Sequence, residues 1–137
     1  MIQSGQASFT VFSTETTPER ISEMLGLVPT KTTTRGAVNG AGRVRDYNTW
    51  TIDVRELHNT ESDQTGTVAL TELMTQVQPS ASEIQRLPAD CEARITWSAY
   101  SDSSQGGFVL PSELSRAIAD LDVDVLATVY MSSDDDD

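Results

Sequence analysis

Apolar and polar positions along the chain follow two rhythms, one of period two and one of period 3.6. From Ala7 to Thr14 the residues are mostly β-branched, aromatic or small, as in a buried strand. Trp50, Ile52 and Val54 then alternate with Thr49, Thr51, Asp53 and Arg55, which predicts a half-buried strand over Asn48 to Leu57. The same alternation returns from Cys91 to Ser101, with Cys91, Ala93, Ile95, Trp97 and Ala99 on one side, and again from Val123 to Met131. A short apolar strand is expected at Phe108 to Leu110, after the turn at Gly106 and Gly107.

The helical rhythm begins with Ile21, Met24, Leu25 and Val28, behind Thr17 as N-cap and Pro18 at the first helical position. Gly26 and Pro29 stop it. Leu70, Leu73, Met74 and Val77 predict a second helix, ended by Pro79. Ser80 and Glu83 have capping-box spacing for a short helix running to Leu87. A third full helix starts at Pro111 and carries Leu114, Ala117, Ile118 and Leu121. Pro18, Ile21, Ser22, Leu25 and Val28 recur as Pro111, Leu114, Ser115, Ile118 and Leu121, which reads either as two equivalent strand-helix halves or as the shared grammar of Pro-started helices. Residues 30 to 47 hold three glycines and no period, and read as a long loop or irregular hairpin.

This order predicts an α+β domain: an antiparallel or mixed sheet of about five strands with two or three helices on one face, in a ferredoxin-like arrangement. At 137 residues one core is expected, spanning residues 1–133, with Asp134 to Asp137 as an acidic tail. Both ends read as dispensable. No apolar run is long enough to span a bilayer, and MIQSGQAS lacks the basic and apolar regions of a signal peptide, so no membrane association and a cytoplasmic location are expected.

Charge changes the picture next. The chain carries −12 from 21 acids and nine bases, and Lys31 is the only lysine. That balance disfavours nonspecific nucleic-acid binding, so no nucleic-acid partner is expected, and leaves solubility, salt adaptation or a basic protein partner as its meaning. The bases are unevenly placed. Lys31, Arg35, Arg43 and Arg45 occur between Met24 and Arg45 without one acid among them, and so form a candidate anion-binding patch. The plainer reading is that they pair with acids elsewhere in the fold.

Other chemistry has little to stand on. Cys91 is the only thiol and His58 the only imidazole, and alternation sets Cys91 beside Ile95 and Trp97 on the apolar face, where a thiol is inert. Two such residues do not make a zinc site, and the terminal aspartates lack the spacing of a calcium loop, so no metal and no cofactor are expected. No phosphate-binding loop, dinucleotide fingerprint or nucleophile elbow is present. Trp50 and Trp97 read as core anchors, whereas Tyr100 and Tyr130 fall on the opposite parity and are candidate surface aromatics.

The Pro-started helix ending in LGLVPTK, the glycine-bearing loop before Trp50 and the closing GGFVLPSELSRAIADLDVDVLATVY together resemble the bacterial domain-of-unknown-function family 4279. The resemblance implies a stand-alone cytoplasmic domain and brings no catalytic set with it. In that family pattern basic residues and glycine follow the LG-x-x-P-T stretch, here Lys31, Arg35 and Gly36, and the inserted AVNGAG departs from it. The expected function is that of a small acidic binding or interaction protein, an adaptor or an inhibitor of a cationic protein. Binding of an anionic small molecule at residues 31–45 is the alternative, and an enzyme the third. Edge strands can pair between chains, so oligomeric state is left open.

Overall fold

A computed structural model describes residues 1–132. Its sheet has five strands: β1 (Ile2–Ser13), β2 (Lys31–Thr33), β3 (Asn48–His58), β4 (Cys91–Ser101) and β5 (Asp124–Tyr130). Their order is β2-β3-β1-β4-β5. β1 lies in the middle and runs antiparallel to β3 and β4, matching Phe9 with Ile52 on one side and Ile95 on the other. β2 is antiparallel to β3, so β1 and β2 run the same way with β3 inserted between them. β5 runs parallel to β4, pairing Ile95 with Val125 and Ala99 with Val129. The sheet is therefore mixed, and this parallel strand departs from a purely antiparallel ferredoxin-like sheet.

Strand parity places Ala7, Phe9, Val11, Trp50, Ile52, Val54, Ile95, Trp97 and Ala99 on one face. The helices cover that face. α1 (Pro18–Leu25) contributes Ile21 and Leu25, and α2 (Val68–Val77) contributes Leu70, Leu73, Met74 and Val77. A 3-10 turn at Gln78–Ser80 leads into α3 (Ala81–Gln85), which adds Ile84, and α4 (Ser112–Leu121) adds Leu114 and Leu121. All these residues form one core cluster.

Local chemistry explains the helix ends. The Thr17 hydroxyl accepts from the Arg20 N–H at 3.2 Å, and Pro18 begins the helix where no N–H is needed. Gly26, at φ 66°, adopts the left-handed conformation that lets its N–H reach the Ser22 carbonyl. Ser80 does not make the expected capping box. Its hydroxyl donates instead to the Leu25 carbonyl at 2.8 Å, tying the start of α3 to the end of α1.

Several expectations change. β1 starts at Ile2, which is 1 % exposed, so that end of the chain belongs to the core and is not dispensable. Val28 lies past the helix and is 87 % exposed. Within residues 30 to 47 the irregular hairpin is present, bridged at Val38 and Val44, and what changes is the added strand β2. Phe108 to Leu110 is not a strand. It is an extended segment whose Val109 N–H donates to the Thr65 carbonyl, while Phe108 packs edge-on to Trp97 at 4.9 Å. The repeated pattern is thus shared helix grammar, because α4 follows no strand. Ile118 and Val125 pack against the core without being fully buried. The predicted tail, Asp134 to Asp137, lies outside the described residues.

Candidate functional site

The four candidate bases do not share one site. Lys31 lies on β2 opposite Thr51, and its ammonium pairs with Asp53 of β3 at 3.4 Å. Arg35 lies past the end of β2. Its guanidinium pairs with Glu15 at 3.5 Å and donates to the Thr14 carbonyl at 3.3 Å. Arg43 and Arg45 stand on the returning arm of the hairpin, where the Arg45 N–H donates to the Ala37 carbonyl and the Asn39 N–H to that of Arg43. Asn39 shapes the tip by accepting from the Ala41 and Arg43 N–H groups, and Gly42 supplies the positive φ of 79° that the turn requires. Alternation sets Arg43 and Arg45 to one side and Val44 to the other. Among the described residues neither arginine has an acid within ion-pair distance.

The sheet face turned away from the helices is lined by hydroxyls. Thr33 bonds Thr49 at 2.5 Å, Thr10 bonds Thr51 at 3.2 Å, and Ser8 donates to Asp53 at 2.5 Å. A polar recess of about 290 Å³ crosses this face between Lys31, Asp53, Arg55, Gln6, Thr96 and Ser98. Near one end Arg94 stacks over Phe12 at 5.4 Å, and Phe12 meets Tyr47 edge-on at 6.3 Å. At the other end Tyr100 and Tyr130 are surface residues, stacked at 5.2 Å and 16°. The sequence placed both tyrosines on this face, but their pairing needed the β4–β5 register, which no local pattern carries.

Cys91 and His58 sit at opposite ends of the sheet. Cys91 is level with Ser13 and His58 with Ser4, and the stretch of β1 between these serines is about 30 Å at ~3.3 Å per residue. They cannot act as a nucleophile and its base. Cys91 is half-buried beside a shallow recess that also touches Leu87, Leu121 and Asp122, and burial pushes its thiol up. The other displaced acid of structural interest is Asp90. Its carboxylate accepts from the Thr16 N–H at 2.8 Å, the Glu15 N–H at 2.9 Å and the Thr16 hydroxyl at 2.8 Å, and these bonds hold it down at about 2. Asp90 clamps the turn before β4 to the turn before α1. That is a structural task, and sequence reading missed it because the partners are distant in the chain.

On the helix side, between α4, β5 and the segment 108–110, lies an apolar groove of about 300 Å³. Leu70, Trp97, Phe108, Leu110, Ile118 and Val125 line it. The indole N–H of Trp97 has no partner among the described residues and lies close under Gly5 of β1. The groove opens beside β5, whose outer edge pairs with no strand among the described residues. Leu126 and Tyr130 on the opposite face of β5 are also exposed, at 55 % and 53 %. The apolar FVL run in the sequence was the signal for this feature, although it was read as a strand.

Among the described residues no group of three or more His, Cys, Asp or Glu side chains is placed to hold a metal ion, and no helix is long and apolar enough to cross a membrane. No curated protein and no solved structure matches the chain. The family model of the domain of unknown function DUF4279 matches residues 3–132, which takes in every strand and helix described above save the first position of β1. The chain belongs to the DUF4279 family.

Proposed function

We propose that this domain is a non-catalytic interaction protein whose acidic surface receives a basic protein partner, as an adaptor or an inhibitor would. The observation that carries this reading is the unpaired acid on the solvent side of the helical layer. Glu19, Glu72, Glu83, Glu113, Asp120 and Asp122 are exposed and, among the described residues, have no base within ion-pair distance; Arg20 in the same layer is taken by Glu23, and Arg86 and Arg116, also exposed there, leave these six acids in excess. Unpaired exposed acids leave a field that attracts a cationic surface and speeds its encounter. The separation of Cys91 from His58 argues in the same direction, against covalent catalysis by the one thiol.

Binding of an anionic small molecule remains the second reading, and Arg43 and Arg45 favour it because they have no intramolecular acid partner among the described residues. Lys31 and Arg35 weaken it, since each already faces an acid on a different part of the fold.

Affinity capture from the source cells tests the first reading, using the native chain beside a Glu19→Gln, Glu72→Gln, Glu83→Gln, Glu113→Gln variant. A basic protein held by the native chain at about 50 mM salt, lost at about 500 mM and lost by the variant, is the expected result. Equal capture by both chains, indifferent to salt, overturns it. Titration with phosphate and nucleotides, followed at the 36–45 amides, tests the second.

A further inference from the structure

We infer that β5 is a self-association edge, and that two copies of this chain join by antiparallel pairing of Asp124–Tyr130 with its counterpart about a two-fold axis at Ala127. This inference concerns a different surface from the acidic helical layer and does not depend on it.

The two ends of the sheet differ. β2 offers three residues, whereas β5 offers seven, with no proline, no lysine and one charge, Asp124. Unprotected edges of that length template pairing with another chain, and natural proteins blunt them with charge or proline unless they are used. The short β2 edge gives a dimer no comparable surface on which to continue, so association closes at two copies.

The strand is complementary to itself. Centring the pair on Ala127 uses all seven residues and sets Val125 against Val129 of the second copy, on the side where Val125 and Ala127 line the apolar groove with Phe108 and Ile118. On the other face Leu126 meets Thr128, and Asp124 meets Tyr130, giving the carboxylate a phenolic donor. Phe108, Val109, Leu110, Leu126 and Met131 are exposed around this line. Charge favours the same place. A chain of net charge −12 repels its copy, and β5 adds little to that repulsion: its one acid is Asp124, and the two Asp124 carboxylates fall at opposite ends of the joint, about 20 Å from each other at ~3.3 Å per residue, beyond a Debye length of about 8 Å.

The joint is modest in size. A seven-residue edge about 23 Å long, with side chains on both faces and the flanking groove, covers on the order of 1,000 Å² in total, the lower limit for specific association. Dimerisation is therefore concentration-dependent.

Sedimentation velocity from about 1 µM to 1 mM tests it. The native chain is expected to pass from monomer to dimer, and the dimer to strengthen with added salt as repulsion between the copies is screened. Leu126→Lys with Thr128→Lys, which sets lysine against lysine across the axis, is expected to raise the dissociation constant at least tenfold with an unchanged circular dichroism spectrum. As a second measurement, Ala127→Cys in a Cys91→Ser background is expected to form an oxidised dimer, because facing Cα atoms of an antiparallel pair lie about 4.5–5.5 Å apart, within disulfide reach. A native chain that stays monomeric to 1 mM, a dimer untouched by the double lysine variant, or no cross-link at residue 127 overturns the inference.

Discussion

Replacing Gly5 by alanine is expected to destabilise the protein, although the same change in an open strand would stabilise it. Gly5 sits at the irregularity in β1, pairs with Ala99, and does not have a positive φ, so its backbone accepts a side chain. Reduced freedom of the unfolded chain would contribute about 0.4–1 kcal/mol in favour of alanine. Space opposes it. A Cβ at Gly5 meets the Ser98 carbonyl oxygen at 3.0 Å and the Trp97 indole nitrogen at 3.2 Å. The first belongs to the backbone of β4 and cannot retreat without disturbing the β1–β4 ladder, and the second belongs to a ring 2 % exposed. Overpacking of this kind costs about 1–3 kcal/mol, which set against the entropic gain leaves a net loss centred on about 1 kcal/mol. In urea melts the midpoint should fall with m unchanged, and the melting temperature should drop by about 3–6 °C. Gly107→Ala is the control, having nothing within 4 Å and no positive φ, and should be neutral or slightly stabilising. In a Trp97→Phe background the penalty should shrink without vanishing, because the Ser98 oxygen stays. A Gly5→Ala protein as stable as the native chain would refute the reasoning.

Ser80→Ala should cost about 1–3 kcal/mol in denaturant melts, because it orphans the buried Leu25 carbonyl. The clamp at Asp90 predicts a pH effect: its carboxyl titrates lower in the folded chain than in the unfolded one, so its contribution is present above the ordinary value near 3.9 and is lost as pH falls toward about 2. Stability measured from pH 5 down to 2 should therefore fall less steeply in Asp90→Ala than in the native protein. Cys91 should react with a thiol reagent more slowly in the native protein than in denaturant, since burial raises its thiol and half covers it.

What the sequence carried and what it did not follow from the range of each interaction. Thr17, Pro18 and Gly26 mark α1 because caps are made with neighbours in the chain. Trp50 and Trp97 were readable as core because alternation alone fixes a strand's inner side. β2 escaped because Lys31, Thr32 and Thr33 have no apolar rhythm and are held as a strand by β3. The start of β1 escaped for a related reason: serine, glycine and glutamine dominate there, and Ile2 is buried by Gly66 and Gly106, far along the chain. Phe108 to Leu110 has strand composition, but Phe108 uses its ring against Trp97 and the segment joins no ladder. The four bases of residues 31–45 were legible as a charge cluster, whereas their division between Asp53, Glu15 and the hairpin depends on strand register.

The central place of β1 bears on how the chain reaches its fold. Phe9 finds its two neighbours, Ile52 and Ile95, only after long intervening segments have been made, and β4 completes the pairing late. During synthesis β1 therefore waits with its apolar side chains uncovered and its second edge open, and ordering it requires closing two large loops before the core rewards them. Folding dominated by such distant pairings proceeds in milliseconds to seconds, and a nascent chain that stops before β4 should be a client for chaperones, with Ala7 to Phe12 as the segment they hold.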